Sequence, residues 1–459
     1  MPLRPFLPHQ ELAFRYAETR DRIALYMEMR LGKSLVAIRW SLARGYLANL
    51  IVAPRATLTS WKEELEMEGQ HALIIQGANR AVVAKLLCHL AKKDQTPIWV
   101  LVNPESVIPR QKHGKRPAIK SPIVSLPWDC VIVDESARIR NPRAMITKVM
   151  ARCTEAPGRA VLCGLPNPEG PIDFFSQFQF LDGNFMMVDN FYKWKDRYYK
   201  QDPINPWQFN PKYGTLDAVK EWVHDRAFVL TRKEAKVGSR KVFEKRTVPL
   251  NAAQKKLIKL AKEEYETGTL TTAHILVVLT WLARIAGGFH PETLACVNPA
   301  KGRELLSLLT GELKGEQTLV WFRFNAELFA ISKLLEKAGI PHYCVTGDTP
   351  KPDREAYRHD FQKGKIDVML IQVKCGKVGL DLSASSTSIY YSNTFSNDDR
   401  AQSEDRLIHP KQKWKEDTCL LLDLVSEGSI DEDVVEALRA KRQLSNLILI
   451  KLWEKRWGL

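Results

Sequence analysis

No apolar run in this 459-residue chain reaches the roughly 18–20 residues that a membrane-spanning helix needs. The N-terminus, Met1-Pro2-Leu3-Arg4-Pro5-Phe6, lacks the apolar stretch of a secretion signal. The eight cysteines (Cys88, Cys130, Cys153, Cys163, Cys296, Cys344, Cys375, Cys419) are scattered, and none forms a Cys-x-x-Cys pair. That spacing argues against a zinc site and more strongly against a disulfide framework. Several of these cysteines sit inside apolar, strand-like runs, where the thiol acts as a small hydrophobe. Low-complexity tracts are missing too, and the hydrophobic share of 45% is that of an ordinary globular protein. Acid is in deficit: 53 Asp+Glu face 68 Lys+Arg, a formal net charge of +15. Such an excess suits a polyanion, and without a membrane signal nucleic acid is the expected one. The cell interior is the expected setting, with no membrane partner. At this length two or more domains are expected.

Against these absences two short strings stand out. Val131-Ile132-Val133-Asp134-Glu135 is an apolar run that ends abruptly in two carboxylates. A buried parallel strand presents acids at its carboxyl end in this way. Far upstream, Gly32-Lys33-Ser34 precedes the mostly apolar or small residues 35–42, the pattern of a helix opening behind a phosphate-binding turn. The full glycine-rich pattern is not met, because Met27 stands where its first glycine belongs. Alone, the tripeptide also describes a solvated turn, and the paired acids also describe a solvated loop. Each gains meaning from the other. Together they point to nucleoside triphosphate hydrolysis, with Lys33 on the β/γ-phosphates, the Ser34 hydroxyl and Asp134 on Mg²⁺, and Glu135 orienting and deprotonating the attacking water.

Apolar runs alternate with helical patterns in two blocks. The first has candidate strands Leu50–Ala53, Ile98–Val102, Cys130–Val133 and Ala160–Cys163, with a helical stretch such as Ser60–Met67 between. The second has Thr318–Phe322, His342–Val345, Val368–Ile371, Ser388–Tyr391 and Cys419–Leu424. Alternation of this kind predicts parallel sheets with crossover helices, hence two α/β lobes. The expected division is lobe 1 at 1–171, a mainly helical insert at 172–300, lobe 2 at 301–425 and a helical tail at 426–459. Within the insert, Ala252–Tyr265 and Thr272–Ala286 read as helices. Phe191-Tyr192-Lys193-Trp194-Lys195-Asp196-Arg197-Tyr198-Tyr199-Lys200 interleaves rings with cations. It suits stacking on nucleic acid, or an amphipathic element packing its rings on lobe 1, the more common outcome. The basic tail from Asp431 to Trp457 has the same two readings.

The order of these strings resembles the Swi/Snf-type ATPase branch of helicase superfamily 2 along nearly the whole chain. Arg4-Pro5 with Pro8-His9-Gln10 is similar to the segment that supplies the family's adenine-reading glutamine. Met27–Ser34 resembles motif I, Ile51-Val52-Ala53-Pro54-Arg55 with Trp61 and Glu64 the motif Ia region, and Asp134–Asn141 motif II. Leu162-Cys163-Gly164-Leu165-Pro166 stands at motif III, and Leu230-Thr231-Arg232-Lys233 with Val248-Pro249-Leu250 and Gln254 at the lead-in to lobe 2. Thr318–Phe322 resembles motif IV, and Gly347-Asp348 with Arg354 and Phe361 the block after it. Gly376 with Gly379-Leu380-Asp381-Leu382 resembles motif V, and Gln402 with Arg406 motif VI. Gly428–Glu432 resembles the start of the closing helix.

The resemblance implies two RecA-like lobes with ATP and Mg²⁺ between them. Gln10, Arg30, Leu31, Gly32, Lys33, Ser34 and Arg406 would contact the nucleotide, with Arg406 as arginine finger. It further implies translocation on duplex DNA without systematic strand separation, with Pro54, Arg55 and the Gly379 loop as DNA contacts. Contacts of that kind are mainly to phosphate, so little sequence preference and steep salt dependence are expected. The chain departs from the family at Arg30, where glycine is usual, at Ala137 in motif II, and at Cys163 and Leu165 in motif III. His409 falls at the second arginine of motif VI, with Lys411 and Lys413 nearby as substitutes. Histidine is shorter and mostly neutral at pH 7. Two alternatives therefore stand beside the translocase: a strand-separating or branch-migrating helicase, and a nucleic-acid-binding module with weak or partner-dependent turnover. The bare core suggests a monomer in a bacterial or phage-infected cell, with a partner protein supplying what it lacks.

Overall fold

The computed structural model describes the chain apart from residues 1–3, 56, 78, 110–120, 154, 168–169, 202–208, 268–271, 378–380, 409–416 and 440–459, and apart from the side chains of 265–267, 272–275 and 376–377. It divides into two compact units, Met1–Val237 and Gly238–Leu459. Among the described residues no helix is long and apolar enough to cross a membrane.

In the first unit, β1 (Arg22–Met27), β2 (Ala48–Val52), β3 (His71–Ile74), β4 (Ile98–Val102), β5 (Cys130–Asp134), β6 (Gly158–Leu162) and a later strand, β9 (Phe228–Leu230), form one sheet. Its order is β3-β4-β2-β5-β6-β1-β9, and every pairing is parallel. A short antiparallel pair, β7 (Tyr199–Gln201) and β8 (Phe209–Pro211), lies outside it. The central strands are buried along their lengths because helices cover both faces. Alternate residues of one strand feed opposite cores: Val131 and Val133 pack with Tyr26, Leu50 and Phe178, whereas Ile132 packs with Leu25, Ile51 and Leu162.

In the second unit, β10 (Arg240–Val248), β11 (Thr318–Phe322), β12 (His342–Val345), β13 (Val368–Gln372), β14 (Thr387–Tyr390) and β15 (Thr418–Ser426) form a parallel sheet ordered β10-β15-β14-β11-β13-β12. The helices Ala252–Thr267, Thr272–Ala286 and Ile430–Arg439 build a separate core, with Ile258, Leu282, Ile285 and Val434 at its centre.

Two parallel-sheet α/β lobes are therefore present, as the alternation of runs predicts. The stretch 172–300 does not stand apart from them. It is divided at Val237, and it supplies an edge strand to each sheet, β9 to the first and β10 to the second. Neither strand stands out as a long apolar run: β9 is only the three residues Phe228-Val229-Leu230, and β10 carries Arg240, Lys241, Glu244, Lys245 and Arg246 among exposed and half-buried positions. The aromatic–basic block adopts the inward arrangement. Asn190 caps the helix Phe191–Tyr198, accepting from the Tyr192 and Lys193 N–H groups, and Trp194 is fully buried against Phe175 and Phe185. The tail is helical over Ile430–Arg439, and the expected remainder to Trp457 lies outside the described residues.

Candidate functional site

Strand register assembles the site. In β6, Leu162 pairs with Leu25 of β1 on one side and with Asp134 of β5 on the other. The chain therefore leaves three adjacent parallel strands at one level, and the loops after β1, β6 and β5 stand side by side. These loops carry Met27–Ser34, Cys163–Pro166 and Asp134–Asn141. Ligands of open parallel sheets bind outside the carboxyl ends of the strands, which is where this cluster lies.

After β1 the backbone turns sharply. Arg30 and Gly32 both take left-handed conformations (φ 68° and 76°), and Gly32 then opens the helix Lys33–Ala43. The first N–H groups of that helix have no partner within it, and the helix dipole favours an anion before them. A Cβ on Gly32 would lie 2.1 Å from the Gln10 amide nitrogen, so glycine is needed for the positive φ and for the close approach. Gln10 and its neighbour His9 both reach the Leu31 carbonyl from the helix Pro8–Ala17, at 3.4 and 3.1 Å. Burial of His9 pushes its imidazole below the usual histidine range. The Lys33 ammonium donates to the Met27 and Glu28 carbonyls at 2.8 and 3.2 Å, folding back over its own loop. Glu28 in turn is 3.1 Å from the Arg232 guanidinium, just beyond β9.

Asp134 ends β5. Burial raises its carboxyl above the usual range; the Trp61 hydrogen bond and the nearby Lys33 charge oppose that rise. The Trp61 indole N–H donates to Asp134 Oδ2 at 2.8 Å, and the Glu135 amide donates to Oδ1 at 3.0 Å. Glu135 itself is left-handed (φ 51°, ψ 53°), a costly backbone for a residue with a side chain. Cys163 Sγ lies 3.9 Å from its Oε2, and burial, with Glu135 adding to it, pushes that thiol up to about 12. The next residue, Ser136, donates to Gln177 Oε1 at 2.6 Å.

Gln10, Arg30, Leu31, Gly32, Lys33, Ser34, Asp134 and Glu135 thus share one edge of the first lobe. Pro54 is buried and Arg55 exposed directly after β2, the next strand beyond β5. Arg406 belongs to the second unit, half-buried on the turn Asp405–Leu407 after the helix Asn397–Glu404. Gly379, His409, Lys411 and Lys413 lie outside the described residues. Two supporting residues carry no local signal of what they do. Trp61 reaches Asp134 from 73 positions away, and Gln177 reaches Ser136 from 41.

The first lobe thus sets a phosphate-type turn beside a recessed Asp-Glu pair on the next strand but one, and the second unit holds another parallel-sheet lobe. The SNF2-related domain matches residues 12–277, and the helicase conserved C-terminal domain matches 300–411. The chain belongs to the SNF2-related family, the Swi/Snf-type branch that its motif order resembles. Among similar proteins, YwqA of Bacillus subtilis, an inferred ATP-dependent helicase/translocase, is 24% identical over 92% of this chain and 46% of its own length. The ISWI chromatin-remodeling complex ATPase ISW1 of Saccharomyces cerevisiae is 21% identical over 92% of this chain and 38% of its own. This chain therefore spans less than half the length of these curated relatives. The SWI2/SNF2 ATPase core of Sulfolobus solfataricus, solved in complex with dsDNA, aligns over 97% of this chain and 93% of that one, with 17% identity and a TM-score of 0.43.

Proposed function

We propose that this protein hydrolyses ATP and couples the cycle to movement along duplex DNA. The observation that carries the reading is the register that sets the loops after β1, β6 and β5 abreast, with Lys33 close enough to Asp134 for its charge to oppose the rise that burial causes in that carboxyl. In this reading Lys33, Gly32 and the first turn of the helix hold the phosphates, aided by Arg30 and Leu31, and Gln10 reads the base. Glu135 orients the attacking water and takes its proton. Arg406 stabilises charge on the transferring phosphoryl group, a contribution worth roughly 10³–10⁵-fold where an arginine finger acts.

The donor set fits Mg²⁺. Ser34 and Asp134 offer hard oxygens, and among the described residues no group of three or more His, Cys, Asp or Glu side chains forms a protein cage. A magnesium ion held by one carboxylate, one hydroxyl, waters and substrate phosphates needs none. It would supply charge neutralisation at the phosphates; the residues' own part is to place those two oxygens.

The excess of 15 positive charges and the exposed Arg55 directly after β2 support phosphate-backbone contacts, for which Pro54 and Gly379 are the further candidates that the motif order names. We further propose a monomer acting inside a bacterial or phage-infected cell, with a partner protein where turnover is weak. The test is steady-state ATP hydrolysis with no nucleic acid, single-stranded DNA, duplex DNA and RNA, for wild type, Lys33→Ala and His409→Arg. Duplex stimulation that Lys33→Ala abolishes is the expected result. A silent wild type that His409→Arg awakens would move the reading to a partner-dependent ATPase. Silence in both would leave a binding module, and duplex unwinding in a displacement assay would make it a helicase.

A further inference from the structure

The helix Phe174–Asp182, which follows the loop after β6, is rich in buried rings: Phe174, Phe175, Phe178 and Phe180. In their midst Gln177 has no solvent exposure at all. Burying a primary amide is costly unless its hydrogen-bonding capacity is met. Here it is met in full. Gln177 Oε1 accepts from the Ser136 hydroxyl at 2.6 Å and the Tyr26 hydroxyl at 3.3 Å. Its Nε2 donates to the Pro166 carbonyl at 2.7 Å and the Asp173 carbonyl at 3.0 Å. The orientation is fixed by chemistry, because two carbonyls facing one end of the amide only accept.

Those partners are not arbitrary pieces of core. Tyr26 is in the strand that feeds the phosphate loop, Ser136 follows Glu135, and Pro166 lies in the loop after β6. The far side of that loop presses on the phosphate loop itself: a Cβ on Gly164 would stand 3.1 Å from Met29 Cγ and 3.3 Å from its backbone nitrogen. Meanwhile Ala137 and Leu165 have no polar side-chain atom, and the Cys163 thiol lies 3.9 Å from Glu135 and meets the Ala137 and Leu165 backbone. With four hydrogen bonds, the Gln177 amide is thus a strong side-chain link between the Asp134-Glu135 segment and the loop after β6.

We infer that Gln177 is a positioning residue for hydrolysis, a buried amide that locks Ser136, and through it the left-handed Glu135, to the loop at Gly164–Pro166. This rests on the ATPase reading above. Displacement of that loop is passed to Glu135 through hydrogen bonds and not through packing alone.

The experiment measures kcat and KM for ATP with and without duplex DNA, nucleotide affinity and melting temperature, for wild type, Lys33→Ala, Gln177→Leu, Gln177→Glu and Ser136→Ala. Gln177→Leu keeps the volume and loses all four bonds; its kcat is expected to fall by about tenfold or more, with KM and nucleotide affinity within about twofold. Ser136→Ala should lower kcat less, and the two losses should not add when combined. Gln177→Glu is the rescue. Its carboxylate accepts from Ser136 and Tyr26 but donates to Pro166 only when protonated, so its kcat relative to wild type should climb as pH falls from about 8.5 to about 6. If Gln177→Leu does not fold, this pH recovery and the Ser136→Ala split decide the matter. A Gln177→Leu enzyme with unchanged kcat, or a Gln177→Glu enzyme with no relative recovery, would overturn the inference and leave the ATPase reading standing. A wild type indistinguishable from Lys33→Ala overturns that reading, and the inference falls with it.

Discussion

The strand ends of the two lobes hold their candidate residues by opposite means. In the first lobe an ion pair, Glu28–Arg232, braces the phosphate loop, but the supports described for the Asp134–Ser136 segment are neutral: the Trp61 indole on Asp134, and the Gln177 amide beneath Ser136 and Pro166. In the second lobe the helix leading to Arg406 is held by charge. The buried Arg400 pairs with Asp423 and, at 2.7 Å, with Glu404, and its guanidinium lies 3.4 Å over the Tyr390 ring. Lys241 reaches Glu404 and Asp405 at 2.8 and 3.0 Å. A neutral donor steers a carboxylate without cancelling its charge, which suits a site whose work depends on the fields of Lys33, Asp134 and Glu135. Ion pairs fix the course of a helix more stringently, but they leave a buried charge stranded when one partner goes. Neutral supports should therefore fail by degrees and ionic ones abruptly.

The largest expected effect tests the charge that the neutral supports preserve. Glu135→Gln keeps the shape of the side chain and removes its basicity. If Glu135 is the general base, kcat falls by about 10²–10⁴-fold while nucleotide affinity and melting temperature hold. A loss below about tenfold in a single-turnover assay would transfer the role to another group.

Next comes the ionic frame. Asp423 is almost fully buried between Arg400 and Arg439. Asp423→Ala should destabilise the second lobe by about 3–5 kcal/mol, read as a drop of roughly 10 °C in its calorimetric transition. The double variant Arg400→Met, Asp423→Leu removes the most deeply buried pair, leaves Glu404 to Lys241, and should recover part of that loss. A drop of only a degree or two in Asp423→Ala would erase the contrast between the lobes.

The same contrast governs what was legible in the sequence. Ile98–Val102 and Thr318–Phe322 stand out as apolar runs because both faces of their sheets are covered. Strand β10 hides because Arg240, Lys241, Glu244, Lys245 and Arg246 interrupt it, and its pairing with β15 along nine residues is a tertiary fact. The phosphate turn and the Asp134-Glu135 pair are local strings, so they announce themselves. Their supports do not. A glutamine among phenylalanines, or a tryptophan on an amphipathic helix, looks like ordinary packing until the fold brings a distant polar group within reach. Reading Phe191–Lys200 shows the reverse hazard, since a ring-and-cation pattern that suits nucleic acid turns Trp194 and Tyr199 into the core and leaves its cations outside.

The smallest predicted effect probes a neutral support directly. Trp61 is 2% exposed, and its N–H is the one side-chain hydrogen bond described on Asp134. Trp61→Phe retains most of the ring packing and removes that donor. Burial already holds the Asp134 carboxyl above its usual range, with Trp61 and Lys33 opposing the rise. Without the indole the ionised form loses stabilisation, so the pKa moves further up. Turnover that needs the ionised carboxylate is then lost at higher pH than in wild type. The acidic limb of the kcat/KM profile should shift upward, and the plateau above it should fall only a few-fold, as a hydrogen bond to a charged group warrants. An uncharged support that gives way should leave this graded signature. A flat loss at every pH, with the limb unmoved, would mean that Trp61 serves Asp134 through packing alone.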